Sequence, residues 1–393
     1  MGGEKRVAGG PENRHKRPGW TESVPWMGLS LRAWWKLFRR HGFKVEARHW
    51  PGALFDLAMA SLNSTLGIMQ WAVHGRDLAL HPAPEPPLFV VGHWRTGTTL
   101  LHELLALDPW MRSPSTFECL APHHFVLTHK WLPRWTRFSL PATRSFDPMQ
   151  VSWDSPQEDE FAMLLMGQES PYAAIAFPNS AKRDEPALEL DLLEFEEQRR
   201  WERAFQKFLT RLSFVRDGQL LLKSPTHTMR VPVLHELFPR AKWVLMTRNP
   251  FETCASTIKL WRSLYSTYGY QTPDFTGLEE RVVTTFAHFH SRWEATCDRI
   301  RHGHLAVVRY EDLITKPEST MSHLYSGLKL GVPDELIPGV RKYFADRADY
   351  RPNRHELSPA LTDLIRTRCR GYFERHRYSL EDGHPLDANA VKS

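Results

Sequence analysis

The stretch "PLFVVGHWRTGTTLLHELL", residues 87–105, constrains this chain more than any other. Leu88 to Val91 is an all-apolar run of the kind buried on both faces of a parallel sheet, and a helical pattern follows it. Between the two, Gly92 and Gly97 stand at the G-x-x-x-x-G spacing of a loop whose backbone N–H groups cradle an anion at a helix N-terminus. Thr96, Thr98 and Thr99 add hydroxyls, and Arg95 puts a charged fork inside the loop. A nucleoside-triphosphatase loop carries lysine directly after its second glycine, whereas Thr98 stands there in this chain. The chemistry implied needs the cradle but not that lysine.

Three more short apolar runs follow: Gln219 to Leu222, Trp243 to Met246 and Leu305 to Val308. Helical patterns such as Val231 to Leu237 and Phe251 to Leu264 alternate with them. That order predicts an α/β fold, a P-loop-like doubly wound parallel sheet with helices on both faces. Ligands of such sheets bind beyond the carboxyl ends of the strands, so the residues that follow each run matter most. Lys223 follows the second run; Arg248 follows the third, with Ser256 eight residues on; Arg309 follows the fourth. Alone, Lys223 reads as a solvated lysine and Arg248 as half of a structural ion pair. Together they line one crevice with cations. Magnesium-dependent phosphoryl transfer wants an acid at a neighbouring strand end, and here Glu311 and Asp312 come only later. The pattern points to metal-free transfer of a less charged group from a nucleotide whose phosphates stay in place, with Arg248 and Ser256 on a second phosphate.

Residues 1–20 read as a disordered basic tail, with five basic residues against two acidic ones, so half of the net charge of +6 sits there. The mild remainder suits an anionic small ligand and argues against a nucleic-acid binder. Residues 21–80 form a helical N-terminal extension. Met27, Leu31, Trp34, Trp35 and Phe38 share one helical face, with Arg32, Lys36, Arg39 and Arg40 opposite. Such a helix either packs on the body of the protein or lies on an anionic membrane. Residues 53–73 approach a membrane span, but Asp56, Asn63 and Gln70 make insertion costly. "HPAPEPP", 81–87, is a linker; 88–380 is the α/β domain and 381–393 a C-terminal tail. Residues 108–218 make a large helical insertion suited to substrate walls, in which "SPQE" (155–158) reads as a helix start with Ser155 as N-cap and Glu158 closing a capping box. Four scattered cysteines without C-x-x-C, and no apolar leader, fit a cytoplasmic protein.

These residues resemble the 3′-phosphoadenylyl-sulfate-dependent sulfotransferases. "FVVGHWRTGTTLLHELL" is similar to their 5′-phosphosulfate loop, "FPRAKWVLMTRNPFETCAST" to their 3′-phosphate segment, and "VVRYEDL" (307–313) to their later strand and turn. Arginine in the loop and "LKSP" after the second strand are closest to bacterial and tyrosylprotein members. The likeness runs from about 88 to 330, and weakly to "GYFERHRY" (371–378); it leaves out residues 1–80. Thr96 stands where serine is usual, which keeps the hydroxyl. The resemblance implies 3′-phosphoadenylyl sulfate as co-substrate and no metal. Gly92, Arg95, Thr96, Gly97, Thr98, Thr99, Arg248, Ser256 and Tyr310 would bind it. Arg95 and Lys223 would stabilise the leaving oxygen. Glu118 in "STFE" is the expected base, with His123 and His124 as rivals, while Asp159 and Glu160 read as structural helix charges. The acceptor would be a small molecule, carbohydrate, lipid or peptide, with peripheral membrane contact through the N-terminal helices as one reading. The alternatives are a magnesium-dependent P-loop kinase and a non-catalytic nucleotide-binding protein at a membrane.

Overall fold

A computed structural model describes residues 25–136, 143–144, 147–150, 152–347 and 357–386. The expected tail at 1–20 and the end of the one at 381–393 lie outside these residues. All four apolar runs are strands. In chain order the strands are β1 (Leu88–Val91), β2 (Met111–Arg112), β3 (Thr143–Arg144), β4 (Asp147–Gln150), β5 (Gln219–Lys223), β6 (Lys242–Thr247) and β7 (Leu305–Arg309). One five-stranded sheet runs β2-β5-β1-β6-β7, all parallel, and β3 pairs with β4 separately. The central strand β1 has β5 on one side, with Val90 level with Lys223, and β6 on the other, with Val91 level with Leu245. The connections therefore leave β1 in opposite directions, and a crevice opens at its carboxyl end.

Alternation along the strands builds the two faces. Phe89, Val91, Leu222, Trp243 and Leu245 enter one core cluster, and Leu88, Val90, Leu221, Val244 and Met246 enter another. Among the described residues, seventeen α-helices accompany the sheet. The first six are α1 (Leu31–Arg40), α2 (Trp50–Leu80), α3 (Thr98–Leu105), α4 (Thr116–Leu120), α5 (Phe125–Thr128) and α6 (Leu132–Trp135). Next come α7 (Asp159–Leu165), α8 (Ala173–Ala176), α9 (Phe195–Val215), α10 (Val231–Leu237), α11 (Pro250–Tyr268) and α12 (Leu278–Thr296). The last five are α13 (Tyr310–Thr315), α14 (Pro317–Gly327), α15 (Leu336–Ala345), α16 (Pro359–Arg368) and α17 (Arg370–His376). Residues of α9 and α10 cover the first face; residues of α3, α14 and α15 cover the second.

The linker divides the chain in sequence but not in space. Trp26, Trp34 and Phe38 share a third core cluster with Tyr172, Phe177, Trp261 and Tyr270 of the α/β domain. α1 starts at Ser30, whose hydroxyl accepts the Ala33 N–H, and buries Ala33, Trp34, Leu37 and Phe38. On its polar side Lys36 and Arg40 both pair with Glu169. Trp34, Leu37 and Phe38 of its apolar face therefore pack into the core, where the domain offers aromatic partners, while Leu31 and Trp35 stay exposed. At the other end, residues 381–386 are not a tail: the carbonyl of Asp382 accepts from Asn249 and Tyr378 bridges to Pro385.

Candidate active site

The loop after β1 is held in a form that only part of its sequence could adopt freely. Gly92 has φ +141, and a Cβ there would lie 2.7 Å from the carbonyl oxygen of Met246. Gly97 has φ +96, and its Cβ would meet Cδ2 of Tyr310 at 2.4 Å. Arg95 also takes a left-handed φ of 67. The Thr96 hydroxyl donates to the carbonyl of His93 at 2.7 Å, so it shapes the loop from within. The Gly92 N–H donates to the Thr228 hydroxyl at 2.8 Å. Thr98 and Thr99 open α3, whose first-turn N–H groups have no helical partners and no side-chain cap. Burial pushes His93 down to about 3, so its imidazole is neutral.

Arg248, the first residue after β6, closes one side. Its Nη1 donates to the carbonyl of Arg95 at 3.0 Å, and its guanidinium lies 4.3 Å from the centre of the Tyr310 ring. Arg95 Nε in turn donates to the Ser256 hydroxyl on α11 at 2.9 Å. The structure thus brings the loop, Arg248, Ser256 and Tyr310 to one strand end. The hydroxyl of Tyr372 accepts the Arg248 N–H at 3.1 Å, a brace that sequence reasoning missed. The weak likeness of "GYFERHRY" was its only signal.

Lys223 closes the other side. It is the last residue of β5, where the sequence placed it just past the strand. Its ammonium donates to Glu158 Oε1 at 2.7 Å and to the Thr99 hydroxyl at 3.4 Å. The other oxygen of Glu158 accepts from the Tyr172 hydroxyl, which accepts from Trp94 Nε1 at 2.9 Å. Burial and the Glu158 charge hold the Tyr172 phenol well above its ordinary range, so it stays a donor. "SPQE" is therefore not a capping box. The helix begins at Asp159 with no side-chain cap, because the Glu158 carboxylate is committed to Lys223.

The two acids that follow behave as the structural charges expected of them. Asp159 accepts from the Ser224 hydroxyl at 3.0 Å and meets His227 Nε2 at 2.6 Å. Burial pushes its carboxyl up, but the His227 ring and the Ser224 hydroxyl outweigh that and leave it below the ordinary range. Glu160 takes the Thr226 hydroxyl at 2.7 Å and both ends of the buried Arg230 guanidinium. Residues 158–160 thus fasten α7 to residues 223–230 through three adjacent carboxylates.

The real capping box lies at "STFE". Ser115 caps α4 with its hydroxyl on the Glu118 N–H, and the buried Glu118 carboxylate accepts the Ser115 N–H at 2.7 Å. Its two rivals also have structural partners. His123 Nε2 meets the carbonyl of Leu165 at 3.0 Å, and His124 bridges Thr128 at 2.9 Å and Asn63 at 3.2 Å. Burial pushes both imidazoles down to about 4. A set of metal-ligating types, His290, Glu294 and His376, has ligand atoms within 4.8 Å of one another. It shares no residue with the site above, and Arg375 pairs with Glu294 at 2.9 Å.

A model of a family described as the sulfotransferase family matches residues 86–334. The chain is 38% identical over 360 residues to omega-hydroxy-beta-dihydromenaquinone-9 sulfotransferase Stf3 of Mycobacterium bovis, covering 92% of both chains. The same protein of Mycobacterium tuberculosis matches equally. Among solved structures, sulfotransferase STF9 from Mycobacterium avium superposes with a TM-score of 0.64 at 19% identity, over 91% of this chain and 98% of that one. Sulfotransferase STF1 from Mycobacterium tuberculosis does so with 0.64 at 18%, over 86% and 91%. At those identities the likeness is one of fold.

Proposed function

The chain belongs to the sulfotransferase family, and from that premise we propose that it moves a sulfuryl group from 3′-phosphoadenylyl sulfate to a hydroxyl of a lipid-like acceptor in the cytoplasm. Three features support this reading. The strand ends are cationic; the loop is an anion cradle; and a relative similar along nearly the whole chain is named for a hydroxyl-bearing quinone. The α3 N-terminus with Thr98 and Thr99 would hold the 5′ side of the donor, and Arg248 with Ser256 the 3′-phosphate. The stack of Arg248 on Tyr310 would fix the guanidinium for a bidentate hold.

The observation that carries the mechanism is Lys223 set between Glu158 at 2.7 Å and Thr99 at 3.4 Å. The acceptor oxygen forms a bond to sulfur as the bond from sulfur to the bridging oxygen breaks, and the electron pair goes to that oxygen. Lys223, Arg95 and the loop N–H groups stabilise the charge growing there. Glu158 takes the acceptor's proton, since it is a carboxylate in contact with the lysine that faces the loop. Glu118, the base expected from the resemblance, holds the α4 cap and so shapes the acceptor wall.

Titration with adenosine 3′,5′-bisphosphate, with and without EDTA, tests the reading beside a turnover assay with ³⁵S-labelled donor and membrane-lipid extract. Chelator-insensitive binding and label in an extractable lipid are expected. Activity abolished by EDTA, or label transfer from a nucleoside triphosphate instead, would overturn it.

A further inference from the structure

α2 is built inside out. Asp56, Asn63 and Gln70, seven residues apart, are all buried, with Ala53 and Ala60 on the same stripe. Asp56 accepts from the Tyr270 hydroxyl at 2.6 Å. The Asn63 amide donates to the carbonyls of Met27 at 2.7 Å and Leu29 at 2.9 Å. Gln70 accepts the Leu127 N–H at 3.2 Å. The polar residues that made a membrane span costly are thus turned toward the protein. The apolar ones are turned away from it: Leu54, Leu62, Ile68, Met69, Trp71 and Val73 are exposed, Ile68 at 67% and Trp71 at 72%.

Between Trp50 and Gly75 the only Asp, Glu, Lys or Arg is the inward-facing Asp56. The outward face therefore carries none of these charges from Leu54 to Val73, roughly 30 Å of helix at about 1.5 Å per residue. An apolar face of that length far exceeds the scattered exposure normal on a soluble surface. α1 lies alongside, its Leu31 N–H on the Ser64 hydroxyl at 2.9 Å, and adds exposed Leu31 and Trp35. Exposed Arg32 and Arg39 on α1, Arg76 near the end of α2 beside Asp77, and Arg48 just before α2, which pairs with Glu46, supply a basic rim.

We propose that this face docks the protein on an anionic lipid bilayer, with α2 lying in the plane of the interface. The inward polar stripe clamps the helix to the domain and excludes a crossing orientation. Apolar side chains would enter the acyl region while the arginine rim meets anionic headgroups. A second copy would instead set basic rims against one another. The clamp also touches His124 and Leu127, which directly follow the α4 wall, so a lipid hydroxyl of the kind proposed above would enter from the docked side.

The test is co-sedimentation of the full chain with vesicles of phosphatidylcholine alone and of phosphatidylcholine with phosphatidylglycerol. Wild type and Ile68→Glu/Trp71→Glu are compared, with circular dichroism and nucleotide affinity to show an unchanged fold. Wild type should pellet with the anionic vesicles and the variant should partition at least tenfold less. Equal partition of the two, or wild type left in the supernatant, overturns the proposal. So does a wild-type dimer in lipid-free buffer that the variant splits while vesicle binding is unchanged. Vesicle binding lost in the variant, with no label transferred to any embedded lipid hydroxyl, supports the docking face while sinking the lipid-acceptor reading.

Discussion

Replacing Lys223 by methionine separates what the lysine does for the fold from what it does for the reaction. Its side chain is 3% exposed and that of Glu158 16%, so the substitution strands a carboxylate at a nearly dry position. Breaking a fully buried pair from one side costs about 3–5 kcal/mol. Glu158 keeps the Tyr172 hydroxyl and some water, which brings the expected loss to about 2–3 kcal/mol. Over a chain of this length that lowers Tm by roughly 3 °C. On the chemical step, losing one preorganised donor at the leaving oxygen should cut kcat by about 10²–10³ with donor affinity little changed. Adding Glu158→Gln removes the stranded charge while keeping an acceptor for Tyr172. The double variant should therefore recover to within about 1 kcal/mol of wild-type stability and remain as inactive as the single one. Denaturant unfolding, nucleotide titration and single-turnover label transfer on the four proteins of the cycle read all three quantities. Turnover that returns together with stability would show that Lys223 acts only through the fold and that Glu158 is not the base. An unaltered stability of Lys223→Met would show that the ion pair is not closed in solution.

Arg248→Ala should weaken adenosine 3′,5′-bisphosphate by about 1.5–3 kcal/mol and spare the 5′-monophosphate, as titration of both ligands would reveal; equal losses would remove the 3′ assignment. Glu118→Ala should cost about 1 kcal/mol of stability as a lost cap and keep turnover within about tenfold. If its kcat instead falls as far as that of Glu158→Gln, the base is Glu118. Asp56 titrates at about 6 because burial raises it from 3.8. A folded value above the unfolded one favours the protonated form, so its contribution is whole below about pH 4 and lost as pH rises through 6, by up to about 3 kcal/mol. Asp56→Asn should flatten that part of the stability profile, with Tm rising at pH 7.5 and not at pH 4 when both are scanned.

The parallel sheet and the cluster of loop, Lys223 and Arg248 at its strand ends were legible because their signals are local. A both-face-buried strand is a continuous apolar run, and Gly92, Gly97, Lys223 and Arg248 sit at fixed offsets from such runs. β2 was invisible, since two residues have no periodicity to read. The base was harder for a different reason: "STFE" and "SPQE" fit the same capping template, and nothing local says which glutamate is spent on its own helix. Only the bond from Lys223, 65 residues away, shows that Glu158 is not spent on its own helix. α1 shows a second limit, because the same amphipathic pattern serves a membrane and a core. In α2 the polar residues looked like a cost of insertion, and their common heptad stripe had meaning only once Tyr270, Met27, Leu29 and Leu127 were in place.

The seam between residues 158–160 and residues 223–230 bears on how such a chain can diverge. Three adjacent carboxylates from the insertion, joined by the Ala187 carbonyl on Arg230, hold this stretch of the chain, so its register is fixed over a short span. α4 is tied to the chain just before Glu158 by the Thr116 N–H on Ser155, the Phe117 N–H on Trp153 and the Gln157 N–H on Pro114, so a change of length there reaches the seam, whereas α5 and α6 lie beyond those ties. Polarity on α5 and α6 can then change by small permissive steps while Lys223 stays aligned. A single-residue insertion between Glu158 and Glu160 has no such freedom, since it would unseat three carboxylates from their partners at once.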